Sequence, residues 1–546
     1  MGDIDNLIYM PKQPKDLIFN PSMGISNSPL SENAYSQCID NDSAKGIAKV
    51  NYETDLQSGV TNTAYTWTLQ GVTDIETSSA TSWVDGVAVQ FTTTGTLPTG
   101  VSLATTYYLK DNSGVAPNYW EVYATYDNAK NGTSQINMSG GSGTHTVTPI
   151  QMTNIVKFIN NRAIDGEGNF WQFVTDGDWE LLTKGSGSGV GFEEYDGKAY
   201  LFRGGSNIDQ FTIATDTLNA GWQSSSGGVS LIGQDDTMYI GRGNLVRSWD
   251  GTTFTASALD LPEGESINCI GEIGRFLALG TNQNKIYLWD RVSTTFELPI
   301  STVGAPQMLI PANNLLYFVN DSGDIYVTNG SSASLVKEFP RHILDKDFPS
   351  FVLNANAWRV EDREIYIGYG SSTTTSPMGV YQYSLEDGDF KLAYIISTGA
   401  KGGSGADRTR IDAIQSGIYG TFLIGWTQAG TTYGVDRTSI TKRYTGYKAI
   451  VYSPFYKVGT KYNPKAYKHT EISLSEKLKT GQGVRVSYRT DLSGSWTTIG
   501  TFDTVDKISD VLDKTIHNLE YVQIRAELTT NQDTYTPNLA EIRLYE

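Results

Sequence analysis

The sequence predicts an all-β chain organised around a β-propeller of about seven blades, and three observations lead there. Units of four short apolar runs, separated by turns containing Gly, Asn or Asp, recur between Ile155 and Ser439. The clearest runs Ser266–Gly280, then Thr281–Asp290, then Thr294–Leu298. With Tyr200, Tyr239, Leu277, Tyr317, Tyr366 and Phe422 as equivalent anchors, the steps are 39, 38, 40, 49 and 56 residues. A period of roughly 40 residues with four strands per unit is propeller spacing, whereas solenoid repeats are shorter or helical. Finally, the 546 residues include 56 Gly and 32 Tyr but only 18% charged residues, which suits many short strands and tight turns. No long apolar stripe has helical spacing, and only Asp503–Leu512 reads as a short helix.

Taken in order, residues 1–64 form an N-terminal arm punctuated by Pro11, Pro14, Pro21 and Pro29. Within it Lys45–Glu53 reads as a strand, with Ile47, Val50 and Tyr52 as candidates for burial. A propeller must close its ring or expose unpaired edges, so this strand is assigned to the last blade. Residues 65–150 then read as an inserted small β-sandwich that hangs outward. Its strands are Trp83–Phe91 with a turn at Asp85-Gly86, Thr105–Lys110, Tyr119–Ala124 and a closing strand after Gly140.

Residues 151–443 carry the propeller units. The first has Arg162–Asp165, Phe170–Phe173 and Trp179–Leu182, the second Lys198–Phe202 and Ile208–Phe211, the third Thr237–Ile240 and Leu245–Trp249. The fifth has Leu315–Val319 and Ile325–Thr328, the sixth Glu364–Ile367 and Val380–Tyr383. The seventh is the weakest, since Tyr433–Asp436 barely supports a strand. Gly370–Met378 and Gly399–Arg408 are Gly/Ser/Thr-rich and belong at loop tips, which lengthens the later steps. No Trp-Asp or Gly-His pair is read as a signature at a fixed place. Residues 444–546 read as a C-terminal β-sandwich of jelly-roll type. There Val522, Ile524, Ala526 and Leu528 alternate with Tyr521, Gln523, Arg525 and Glu527, one dry face and one wet.

The formal net charge of −18 argues against nucleic acid as the main ligand, because phosphate binding needs a basic surface. Met1–Asn6 has neither a basic nor an apolar leader region, and no window is long and apolar enough to span a membrane. The chain is therefore expected to be made in the cytoplasm without a secretion signal. Two cysteines, Cys38 and Cys269, read as buried small residues rather than a pair.

Chemistry is sparse. His145, His342, His469 and His517 each sit in a separate context, none with metal-ligand or triad spacing. Gly185–Gly191 is not followed by a helix and reads as a hairpin loop rather than a phosphate cradle. The acidic pairs Asp40/Asp42, Asp165/Glu167, Asp176/Asp178, Asp235/Asp236 and Glu386/Asp389 lack the complete spacing of a calcium loop, and Asp-Gly is common turn chemistry. No Ser-x-Asp-x-Gly-x-x-Trp box or paired catalytic carboxylate stands out. The expectation is no catalytic, cofactor-binding or metal-binding residue, no cofactor, and no enzymatic activity.

Three stretches also carry a family resemblance. Asp85–Pro98, Thr105–Tyr108 and Ser142–Val147 resemble a small Ig-like module found repeatedly in tailed-phage structural proteins, over roughly residues 70–149. Val486–Arg489 followed by Gly494–Trp496 resembles the C-terminal sandwich of phage tail propeller proteins. Gly24–Pro29, Tyr35–Asp40 and Gly46–Val50 are similar to the opening of such proteins. The resemblance implies a structural component of a bacteriophage virion tail, of nozzle, hub or fibre-adaptor type. Its implied partners are other virion tail proteins, further copies of itself in a ring, and tail fibres or host-surface glycan. The alternative is a receptor- or glycan-binding tail-tip protein, and a polysaccharide-degrading propeller is the third reading.

Overall fold

The computed structural model describes residues 17–19, 35–37, 39–42, 47–50, 52–56 and 63–546, except 82, 113, 117, 176–177, 186, 206, 340–350, 372–378, 387, 397–408, 418–420, 429–431, 446–448, 492–493 and 532–533. Both Gly-rich insertions, His342 and Cys38 fall wholly or largely outside these residues. The all-β expectation holds. Among the described residues the one α-helix is Tyr126–Asn131, and Ser509–Leu512, within the stretch read as helical, is a strand paired with His469–Leu474. Its alternation of Ser509 and Val511 with Asp510 and Leu512 has period two, and the pairing partner decides it.

Seven antiparallel meanders follow one another from Ile155 to Arg443. Their first strands are Ile155–Ile159, Gly191–Tyr195, Val229–Ile232, Ile267–Ile273, Pro306–Ala312, Trp358–Glu361 and Thr409–Ser416. Six of the meanders are separate four-stranded sheets, and the sixth in order belongs to an eleven-stranded sheet. Each first strand packs beside the next, and the seventh packs beside the first, so the meanders close a ring.

The second strands are Arg162–Asp165, Lys198–Phe202, Met238–Arg242, Phe276–Thr281, Leu315–Asn320, Glu364–Ser371 and Phe422–Gln428. They lie inside their sheets, covered on both faces by neighbouring meanders. Tyr200, Leu201, Ile240, Leu277, Leu279, Leu316, Phe318, Ile365 and Ile367 are accordingly buried. Burying each such side chain contributes about 1.5–3 kcal/mol.

Outer strands differ from the sequence reading. In the fourth meander the outer strand is Ile300–Ser301 rather than Thr294–Leu298, whose Phe296 instead packs on Tyr287 at 4.7 Å. In the seventh, the weakly supported Tyr433–Asp436 lies within a twelve-residue strand, Thr432–Arg443. Of the stretch Gly185–Gly191, read as a hairpin loop, the described residues 187–190 lead from the first meander into the strand Gly191–Tyr195 of the second.

The seventh meander takes its fourth strand from the N-terminal arm. That strand is Tyr52–Leu56, in the register Leu56 with Asp436, Asp55 with Arg437 and Thr54 with Thr438. The closing strand assigned to Lys45–Glu53 is corrected: the strand that closes is Tyr52–Leu56, which shares only Tyr52 and Glu53 with it. Ile47–Val50 goes elsewhere, pairing with Ile39–Asp42 and with the C-terminal strand Leu539–Tyr545.

Tyr65–Pro149 forms a closed six-stranded barrel, where two open sheets were expected. Tyr65–Gln70 pairs with Asp74–Thr77 on one side and with His145–Pro149 on the other, which joins what would be two sheet edges. Trp67, Ile75, Val89, Phe91, Leu109, Trp120 and Val147 fill its core. The helix is capped by Thr125, whose Oγ1 accepts the Asn128 N–H at 3.2 Å, and ends at Gly132 with φ of 67°. The barrel does not hang free. Tyr108, Tyr126 and Ala129 pack with Trp171 and Leu181 of the first meander, and the Tyr108 hydroxyl donates to the Leu181 carbonyl at 2.7 Å.

Two large sheets make most of the C-terminal part, beside the two-stranded pair of Lys465–Tyr467 and Ile516–Leu519. One holds Ala449–Tyr452, Tyr521–Thr530, Gln482–Arg489 and Thr497–Phe502; the other holds Leu539–Tyr545, His469–Leu474 and Ser509–Leu512 with three arm strands, Leu17–Phe19, Ile39–Asp42 and Ile47–Val50. A further arm strand, Tyr35–Gln37, bridges Phe390–Tyr394 of the sixth meander to Ala449–Tyr452. Val522, Ile524, Ala526 and Leu528 are buried as expected. The face read as wet is partly covered: Gln523 and Glu527 are also buried, and they accept from Arg489 and Arg485.

Candidate functional site

The seven first strands surround an axis, and a cavity of about 490 Å³ on it is lined by residues from all seven. Lys157, Glu193, Ser230, Glu272, Pro311, Arg359 and Gln415 are its contributors, one per strand. A second cavity, about 360 Å³, uses the opposite ends of five of these strands, among them Ile155, Val229, Asn268, Gln307 and Asp412. The segment Leu353–Asn356 lines it, and Ala355 and Asn356 line both cavities. Asn356 Nδ2 donates to the Val156 carbonyl at 3.0 Å and Asn354 Nδ2 to the Ile411 carbonyl at 3.0 Å, tying the sixth meander's approach to the first and seventh.

Every carboxylate in the larger cavity already has a cation. Lys157 pairs with Glu193 and also donates to the Ser230 carbonyl at 3.1 Å, so one side chain links three meanders. Glu194 is paired with Arg162 at 3.1 Å and accepts from Asn160 at 2.7 Å. Glu272 is paired with Arg291 and accepts the Gln234 N–H at 3.0 Å. General acid–base work on a glycosidic bond needs one carboxyl that holds a proton and a second that is open to water or sugar. This arrangement instead ties the carboxylates into bridges between neighbouring meanders.

In the smaller cavity Asp412 is buried and accepts from Arg410, from the Thr427 hydroxyl and from Asn354 Nδ2. Burial pushes its carboxyl up to about 6, against the pull of Arg410.

Side chains singled out in the sequence are dispersed. His145 sits in the barrel, 4.9 Å from the Trp67 ring, with Nδ1 2.9 Å from Thr93 Oγ1. His469 pairs with Asp513 at 2.8 Å, and His517 lies on Ile516–Leu519. Asp40 and Asp42 share the strand Ile39–Asp42 of the arm, Asp235 reaches Arg291 at 3.5 Å, and Glu386 pairs with Arg363. Among the described residues no group of three or more His, Cys, Asp or Glu is placed to hold a metal ion. Cys269 is a buried free thiol whose pKa burial raises. No helix among the described residues is long and apolar enough to cross a membrane.

The acidic turns have a defined geometry. Asp165 Oδ1 accepts the N–H groups of Glu167 and Asn169 at 3.0 and 2.9 Å, closing the turn between second and third strands. Asn320 does the same in the fifth meander with Ser322 and Asp324 at 3.1 and 2.9 Å. A Trp-Asp pair also recurs at a fixed place, contrary to the sequence reading. Trp249-Asp250 and Trp289-Asp290 both end third strands. Asp250 accepts from the Thr252 and Thr253 N–H groups at 2.8 and 2.6 Å, and Asp290 from those of Val292 and Ser293 at 3.0 and 2.8 Å. The fifth meander keeps the geometry with Asn329, which accepts from Ser331 at 3.1 Å, but not the dipeptide, and that hid the repeat. The axial charges were missed for a different reason: Lys157 and Glu193 lie on first strands that precede the runs read as units one and two, and Glu272 lies inside the apolar run Ser266–Gly280.

No family model matches the chain, and no curated protein matches it. Among solved structures, the computationally designed Ika8 protein is similar over 70% of this chain and 98% of its own, at 11% identity and a TM-score of 0.36. A chain of the Mitotic Checkpoint Complex is similar over 52% of this chain and 86% of its own, at 13% identity and a TM-score of 0.40.

Proposed function

We propose that the seven meanders are the blades of a seven-bladed β-propeller, that the two C-terminal sheets are a jelly-roll-like sandwich, and that the chain is a structural component of a bacteriophage virion tail. Within the tail it is a nozzle, hub or fibre-adaptor type subunit, and it is not an enzyme. The observation that carries this reading is the sharing out of the N-terminal arm. Its strands enter the seventh meander, the junction beside the sixth, and the C-terminal sheet, so one segment locks all three regions together. Such interlocking suits a part that bears load. The pairing of the axial carboxylates supports a mechanical rather than catalytic interior. The phage resemblance of residues 70–149 supplies the setting.

Other tail proteins and further copies of the chain are the proposed partners, and the virion tail is the proposed location. Cryo-electron microscopy of intact particles, with an antibody against the barrel, tests this. A ring of copies around the tail axis is the expected result, and particles without the chain overturn the reading.

A second reading, glycan binding by the barrel, rests on one feature. A cavity of about 590 Å³ opens between Thr66–Leu69 and Gly140–His145, with Glu76 and Asn118 also lining it. Binding of host-surface polysaccharide to the whole chain, lost on changing Asn118, would favour it.

A further inference from the structure

Arg247 stands on the third strand of the third meander, Leu245–Trp249, and is 8% exposed. Its Nη2 has one long hydrogen bond, 3.4 Å to Ser226 Oγ, while Nε and Nη1 are buried without a partner. No carboxylate pairs with it among the described residues. That is anomalous in a chain with 59 acidic and 41 basic residues. Other inward arginines are matched, Arg203 with Asp209 at 3.0 Å, Arg162 with Glu194 and Arg291 with Glu272. A buried charge is retained only when something compensates it.

The surroundings deepen the anomaly. Burial, and then the like charge of Arg242, lowers the Arg247 pKa. Arg242 itself donates to the Gly227 carbonyl at 3.0 Å. Over both runs the crossing Ser224-Ser225-Ser226-Gly227-Gly228, whose two glycines are pressed against their neighbours: a Cβ on Gly227 would lie 2.2 Å from Phe202 Cβ, and one on Gly228 2.1 Å from the Gly241 carbonyl. The glycines anchor the crossing, while Ser224 is exposed and Ser225 and Ser226 are half-buried.

We propose that Arg247, with Arg242 and the Ser224–Ser226 hydroxyls, is a binding site for an oxyanion group of a ligand, a carboxylate or a phosphate. The anion displaces the Ser226 hydroxyl from Nη2. Nη2 and Nε then present the parallel pair of N–H groups that two oxygens of one anion accept, and Arg242 supplies the second positive charge. The site is independent of the tail reading.

Thermal unfolding and calorimetric titration of the whole chain test it, using sodium phosphate and sodium glucuronate against sodium chloride at equal ionic strength. A saturable rise in Tm with one of the two anions is expected. Response to phosphate alone assigns a phosphate-bearing ligand, and response to glucuronate alone an acidic sugar. Arg247→Met removes the response and leaves the anion-free Tm equal to or above that of the parent, because it deletes an uncompensated buried cation. Arg242→Gln leaves the guanidinium of Arg247 in place and weakens binding at least tenfold, which keeps the test open if the first variant fails to fold. No saturable response to either anion overturns the proposal, as does unchanged affinity in Arg242→Gln.

Discussion

Gly425 lies so close to Ile155 that a Cβ placed on it would stand 2.8 Å from Ile155 Cβ. This contact joins the second strand of the last meander to the first strand of the first. The same contact recurs around the ring, with Gly241 against Ile267 and Gly368 against Ile411. Each glycine follows the apolar core of a second strand, in Ile240-Gly241, Ile367-Gly368 and Ile424-Gly425. The missing side chain lets the next meander's first strand approach. Gly425→Ala is expected to cost about 1–3 kcal/mol, the usual scale of overpacking a core. Urea unfolding measures it, with Gly187→Ala, which has nothing within 4 Å, as the neutral control. Equal midpoints for the two variants would mean the ring is loose at this joint.

The joint has an outer counterpart in the strand Tyr52–Leu56 on Thr432–Arg443. In an antiparallel pair only alternate residues donate across the ladder. Of Thr54→Pro and Asp55→Pro, one therefore removes a ladder donor and leaves a carbonyl of Thr432–Arg443 unsatisfied. That variant is expected to lose about 1–3 kcal/mol, and the other less. Limited proteolysis should then cut near the uncovered strand. Two variants that both match the parent in Tm and cleavage pattern would deny the strand a closing role.

Legibility followed burial. The anchors Tyr200, Tyr239, Leu277, Tyr317, Tyr366 and Phe422 all fall on second strands, which are covered on both faces and so read as unbroken apolar runs. Outer strands such as Thr217–Gln223, mostly exposed, leave no such mark. The barrel was unreadable because closure depends on the partners of Tyr65–Gln70, and alternation within a strand does not name its partners. Likewise Ile47–Val50 and Tyr52–Leu56 are adjacent short strands, and only pairing separates their destinations. The axial charges lay in plain sight, yet their meaning needed Lys157 of one meander to meet Glu193 of the next.

Asp165 and Asn320 hold equivalent turns with different chemistry, and the difference is testable. Asp165 Oδ2 accepts from Thr153 N, Asn169 Nδ2 and Trp171 Nε1 at 3.2, 2.9 and 3.0 Å, so its carboxylate faces donors only. Asn320 instead turns Nδ2 toward the Val303 carbonyl at 2.7 Å. Asp165→Asn places an amide N–H against donors, and Asn320→Asp places an oxygen against a carbonyl. Each swap is expected to cost about 1–3 kcal/mol, the scale of an unsatisfied buried group. Chemical denaturation reads both, and a neutral Asp165→Asn would show that the turn does not need the charge.

Glu180 connects the barrel's docking to pH. It lies on the outer strand of the first meander, close to Asp127 of the barrel helix and to Asp216 of the second meander. Burial first, then the two like charges, raises its carboxyl from 4.5 to about 7. Between those values the folded chain holds a proton that the unfolded chain releases, so stability falls as pH rises through that window. Asp412, raised from 3.8 to about 6, adds the same trend at lower pH, so the informative quantity is the difference between parent and variant. Glu180→Gln should match the parent near pH 4.5 and exceed it in Tm above pH 7. Asp127→Asn removes one repelling charge, lowers the folded Glu180 pKa and brings down the upper end of the window. Identical pH profiles for parent and Glu180→Gln would mean that water or an outward rotamer relieves Glu180, and that the barrel docks without electrostatic cost.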